Sequence, residues 1–208
     1  MTSTSESTTR LEAFCDGVFA IAITLLVIEV HVPHLDEIAR LGGLWPALGA
    51  QWPSYLGFVI SFFTIGIMWA NHHAMLEYIG RADRTFLLMN VAFLMPVAFL
   101  PFPTAVLAEH VVHPTARVAA TAFYGAALFT IAIAFNALWL YGVHDPARMR
   151  HYDPDAVQTI TRRYRMGPLG YGAATALAFV NVWASLATHA ALALLFALPE
   201  KPSRRDDA

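Results

Sequence analysis

Two stretches hold ionisable side chains against apolar runs, and any chemistry in this chain would start there. Arg10 and Asp16 stand at the head of RLEAFCDGVFAIAITLLVIEV (10–30), and Trp69, Asn71, His72, His73 and Glu77 close a second apolar segment. His73 and Glu77 are four apart, which puts them on one helix face. His72 and His73 are adjacent and point in different directions, so they cannot form the i, i+4 histidine pair of a zinc protease helix. Cys15 is the lone cysteine, which leaves no intrachain disulfide and no thiolate metal framework. No Gly-rich phosphate loop and no G-x-S-x-G elbow is present. No metal, no cofactor and no catalytic residue is expected. What remains is a proton relay through intramembrane Asp and His, or a buried polar network holding two helices together. The network is favoured, each interhelical hydrogen bond being worth about 0.6 to 2 kcal/mol.

The elements that must position these residues are membrane spans. Of 208 residues, 57% are hydrophobic and only 13% charged, far from the balance of a soluble domain. The net charge of -2 comes with no basic stripe, so a nucleic-acid partner is set aside. The partner that composition demands is the lipid bilayer. A spanning helix needs about 20 mostly apolar residues, and six segments are expected: 10–30, 52–78, 85–108, 115–141, 166–180 and 181–198. The third contains Pro96, Pro101 and Pro103, which predict a kink or an early end. Trp45 and Trp52 flank the second span as interfacial aromatics would.

With the N-terminus inside, the inner segments carry Arg10, Arg81, Arg84, Arg148, Arg150, Arg162, Arg163, Arg165, Lys201, Arg204 and Arg205, and the outer ones only Arg40 and Arg117. That asymmetry predicts cytoplasmic termini and an even number of spans. The expected architecture is an all-α, six-helix membrane domain over residues 10–199. Residues 1–9 are expected to be a disordered tail and 200–208 a cytoplasmic tail.

Arg10, Phe14 and Asp16, in the order R-x-x-x-F-C-D, resemble the first-helix signature R-x-x-x-F-S-D of the endolysosomal potassium channel family, the prokaryotic branch more closely. WANHH (69–73) and RADRTFLLMNVAFLMPVAFLPFPTAV (81–106) resemble that family's second and third helices. Cys15 stands where the family has serine, and a thiol is a weaker donor.

The resemblance implies a homotetrameric, potassium-permeable channel of six-helix subunits in a prokaryotic plasma membrane, its pore lined by the first helices. It implies that Ile21, Leu25 and Ile28 form apolar constriction rings, with Thr24 the nearest hydroxyl. Independently of the resemblance, the first span starts and the second ends on the inner side, so Arg10, Phe14, Asp16, Trp69, His72 and His73 are expected to sit together there as a structural polar network. The sequence agrees in having no TVGYG-like filter. Spacing alone places Ile21, Leu25 and Ile28 on one face, where they would serve equally as bundle core or lipid contact. Glu29 is placed to concentrate cations at the outer mouth. The alternative is a proton-coupled secondary transporter using Asp16 and the His72, His73, Glu77 cluster, although no internal repeat of the kind common in transporters is seen.

Overall fold

The computed structural model describes residues 3–198, and every helix or strand among them is helical apart from one isolated bridge. Helix α1 (Ser3–Leu25) passes into a 3-10 turn (Leu26–Glu29), followed by two short helices, α2 (Leu35–Leu41) and α3 (Leu44–Ala50). Then come α4 (Trp52–Tyr78), α5 (Arg84–Phe99), α6 (Pro101–His110) and α7 (Arg117–His144). A 3-10 turn at Pro146–Arg148 leads to α8 (Pro154–Leu177) and α9 (Val182–Ala197). Four stretches, Thr8–Glu29, Trp52–Tyr78, Arg84–His110 and Arg117–His144, are long and apolar enough to cross a membrane.

One expected break is present and two boundaries differ from expectation, each for a local reason. The third apolar segment is two helices meeting at Leu100, because Pro101 and Pro103 remove two donors, one either side of Phe102, from the ladder. Both the Thr104 N–H (3.1 Å) and the Thr104 hydroxyl (2.9 Å) donate to the Leu100 carbonyl at that break. Helix α8 begins at Pro154 rather than near Met166. Asp153 caps it by accepting from the Asp155 and Ala156 N–H groups, with Pro154 in the first turn. Its polar first half is invisible to hydropathy. Helix α1 takes in Ser3 to Thr9, expected to be a tail, since adding residues to an existing helix is far easier than starting one. The tail expectations for residues 1, 2 and 199–208 lie outside the described residues. Asn181 does mark the start of α9, accepting from the Trp183 and Ala184 N–H groups.

Helix α7 is the hub, packed on α5, α6, α8 and α9, while α1 lies in the angle between α4 and α5. One apolar cluster runs through all of them, including Phe19, Phe86, Phe93, Leu128 and Trp139.

A backbone strap ties the α4–α5 turn to the α7–α8 link. The Gly80 and Arg81 N–H groups donate to the Arg148 carbonyl (2.7 and 3.0 Å), and the Arg150 N–H donates to the Tyr78 carbonyl (3.0 Å). A Cβ at Gly80 would lie 2.8 Å from the Arg150 side chain, so this approach requires glycine. Beside the strap, Asp83 caps α5 through the Phe86 N–H (2.8 Å) and accepts from the Tyr141 hydroxyl and Arg148 Nη2 (both 2.9 Å). The Phe86 N–H first, then Tyr141 and Arg148, hold the Asp83 carboxyl below the usual aspartate range.

Candidate pore helix and its inner polar pairs

From Gly17 onward helix α1 is apolar on nearly every side, yet its two faces have different surroundings. Leu11, Cys15, Phe19, Ala22 and Leu26 are buried against neighbouring helices. Phe14, Ile21, Leu25 and Ile28, on the other side, are 53%, 60%, 40% and 65% exposed. Ile23 is partly buried and packs on the core, so it points away from that stripe. The 3-10 turn from Leu26 refines the geometry, because residues three apart eclipse in such a turn. Ile28 is thereby brought nearly in line with Leu25. Thr24 is exposed beside them, and its hydroxyl donates to the Ala20 (3.0 Å) and Ile21 (2.9 Å) carbonyls. Its single proton is used within the helix, so the oxygen lone pairs are what it can present to a cation. Glu29 closes the turn, half-buried.

At the other end, the expected inner network is three separate pairings. The Trp69 indole N–H donates to Asp16 Oδ1 (2.7 Å). His73 Nδ1 lies 2.8 Å from Glu12 Oε1, with Glu77 3.8 Å from its other nitrogen. Deeper, His72 Nε2 meets Asn90 Oδ1 at 2.9 Å, and the Cys15 thiol reaches the same oxygen at 4.0 Å. Asn90 Nδ2 donates to the Phe86 carbonyl (2.8 Å), which turns Oδ1 toward His72 and so places the histidine proton on Nε2. Phe19 and Phe93 enclose the His72 ring, the latter stacked at 5.4 Å. Arg10 and Phe14 stay outside these pairings. Both are exposed, and Arg10 makes no ion pair among the described residues.

Sequence reasoning missed Glu12 and Asn90. Glu12 lies four residues before Asp16, on the same side of α1, and that spacing was the available signal. Asn90 stands alone in an apolar run, where no local pattern pairs it with His72. A second buried polar chain lies among α4, α6 and α7, where Ser61 meets Thr104 (2.8 Å) and Tyr124 (3.1 Å). Thr104 gives its proton to Leu100, so Ser61 donates to Thr104 and Tyr124 donates to Ser61. These groups satisfy one another in an apolar bundle, as a membrane interior requires. Among the described residues there is no group of His, Cys, Asp and Glu able to hold a metal ion.

Residues 10–101, which hold most of α1, the polar pairs and all of α5, match the family described as endosomal/lysosomal potassium channel TMEM175. Over 198 residues the chain is 44% identical to a protein of Streptomyces collinus named a potassium channel, covering 93% of each chain. The chain belongs to the TMEM175 family. A protein of Chamaesiphon minutus, also named a potassium channel, is 48% identical over 192 residues, covering 92% of this chain and 94% of its own. The fold matches the crystal structure of a lysosomal potassium-selective channel TMEM175 homolog from Chamaesiphon minutus, with a TM-score of 0.85 and 44% identity. That match covers 92% of this chain and 97% of the other. As a TMEM175 family member with apolar helices of spanning length, it is a multi-pass membrane protein.

Proposed function

We propose that this chain is the subunit of a potassium-permeable channel in a prokaryotic plasma membrane, with four copies surrounding a pore lined by α1. The observation that carries this reading is the uncovered apolar stripe of α1 through Ile21, Leu25 and Ile28, on a helix whose opposite face is fully packed. One copy of α1 supplies one wall, and cyclic symmetry closes the rest. Rings of these side chains would form a constriction that gates by dewetting and excludes a fully hydrated ion. Thr24 would offer oxygen beside them, and Glu29 would draw cations to the outer mouth. In this reading α8 and α9 are the fifth and sixth spans, and both termini face the cytoplasm, following the arginine asymmetry. The names borne by the close relatives support potassium as the permeant ion.

The polar pairs support a channel over a proton-coupled transporter. Asp16 pairs with α4 and His72 is enclosed between α1 and α5, so both are spent inside the protomer rather than presented to the stripe. The test is flux through purified protein in liposomes under a potassium gradient, with and without a proton gradient. Passive potassium flux that is indifferent to the proton gradient is expected. Flux that requires the proton gradient would favour the transporter, and a conducting monomer would remove the basis of the pore.

A further inference from the structure

Two uncovered faces flank α1, one on α4 and one on α5, the two helices between which α1 packs. On α4 a groove of about 510 Å³ runs past Phe63, Gly66, Ala70 and Ala74 to Glu77 at its mouth. A Cβ at Gly66 would meet nothing within 4 Å, so the floor is open to an approaching helix. Arg163 of α8 also lines the mouth, but it is spent in donating to the Leu195, Phe196 and Leu198 carbonyls at the end of α9. The Glu77 side chain, 3.8 Å from His73, is 70% exposed, and its carboxylate is what the mouth offers.

The counterpart on α5 is a ridge. Leu88, Val91 and Met95 are 60%, 52% and 72% exposed, and their spacing of three and four puts them on one face. Arg84, four residues before Leu88, heads the same face, exposed and with no ion pair among the described residues. The turn between α4 and α5 holds Glu77 and Arg84 at the same end of the bundle. From there the two faces stay in register. Ala70 and Val91 each lie about 10 Å along their helices from that charged end, and Gly66 and Met95 each lie about 16 Å along. An α5 laid antiparallel in the groove therefore sets Val91 over Ala70 and Met95 over Gly66 as Arg84 reaches Glu77. Within one chain α1 packs between the two helices, so groove and ridge meet only across two copies.

We propose that the α4 groove of one copy receives the α5 ridge of the next, with Glu77 facing Arg84 of that neighbour. A contact between two different faces is heterologous and can close into a ring, and opposite charges fix its register. With groove and ridge on either flank of α1, the ring places α1 innermost. The proposal rests on the reading that copies surround α1, and names the surface by which they do so. Charge and register favour a second copy over lipid, for which any apolar face would serve.

The experiment is disulfide cross-linking of the full chain in liposomes. Cys15 is buried and stays in place, and each single-cysteine variant serves as a control. On oxidation, Ala70→Cys/Val91→Cys should give a ladder of dimers, trimers and the closed ring, because every copy links to two neighbours. A two-fold contact would stop at dimers and would overturn the proposal. Ala70→Cys/Phe99→Cys, about 12 Å out of register, should give no ladder. In detergent, Glu77→Lys and Arg84→Glu should each weaken assembly about fivefold, and the double variant should restore it by rebuilding the pair at every contact. Gly66→Leu should weaken assembly at least about tenfold, with the unfolding midpoint of the protomer unchanged. An intact, potassium-conducting oligomer that gives no ladder from Ala70→Cys/Val91→Cys would overturn this contact and leave the pore reading standing. So would equal ladders from the two cysteine pairs, which would mean random collision. Unchanged assembly in Gly66→Leu would give the groove to lipid and overturn it too. A conducting monomer would overturn both readings.

Discussion

The two faces of α1 are equally apolar and differently used. On one, Phe19 touches His72 and Phe93 with ring centroids 5.6 and 6.0 Å apart and is 1% exposed. On the other, Ile21 has no such partners. In a soluble helix the buried stripe announces itself by contrast with a polar face. In a membrane helix that contrast is absent, and burial is set by what packs nearby.

The difference can be broken by mutation, and the largest expected effect is on the packed side. Phe19→Ala should cost about 3–5 kcal/mol of protomer stability, read as a lowered unfolding midpoint in detergent. Ile21→Asn should stay within about 0.5 kcal/mol of wild type while raising potassium flux in liposomes and weakening discrimination against sodium. Ile23→Asn, on the packed flank, should reverse that pattern, losing stability without gaining flux. Equal destabilisation at Phe19 and Ile21 would erase the distinction between the faces.

Smaller effects sharpen the comparison at the inner end. Asn90→Ala leaves the His72 proton unpaired in a buried site and should cost about 1–3 kcal/mol. Trp69→Phe removes the bond to Asp16 and trims the ring contact with His73, and should cost about 0.6–2 kcal/mol, with assembly weakened and ion selectivity intact. Selectivity lost at full stability would instead make Asp16 part of the conduction path.

The smallest effect is pH-dependent. Asp83 is held below its ordinary range in the fold, so its charged contacts stabilise the protein above that range and are lost as pH falls through the lowered pKa. Asp83→Asn keeps the helix cap but not the charge. The gap in melting temperature between wild type and variant should be fully open at neutral pH and close on strong acidification. A gap that widens in acid would contradict the assignment.

What was legible in the sequence was whatever hydropathy and backbone punctuation encode. The apolar runs gave the four long spans, the prolines gave the break at Leu100, and Asn181 gave the start of α9. The start of α8 was not legible in this way, because an Asp-Pro cap followed by TITRRYR carries no apolar signal. Partners far apart in sequence were equally hidden: nothing local to Asp83 points to Arg148, and nothing local to Cys15 points to Asn90. Arg10 illustrates the opposite limit. Its position at the inner start of the first span placed it in the inner network, yet the folded protomer leaves it exposed.

The strap at Gly80 has a mechanical consequence. It joins the α4–α5 turn to the α7–α8 link by main-chain bonds at one end of the bundle, and neither of those links can slide past the other without breaking them. Relative tilt of α5 and α7 is therefore pivoted there, and displacement grows with distance from the pivot, as along a pair of tongs. Spin labels should report narrow, unchanging distances near Ile79 and Met149 and broader ones toward Leu100 and Thr121. Uniform widths along the pair would mean that the bundle moves as a rigid block.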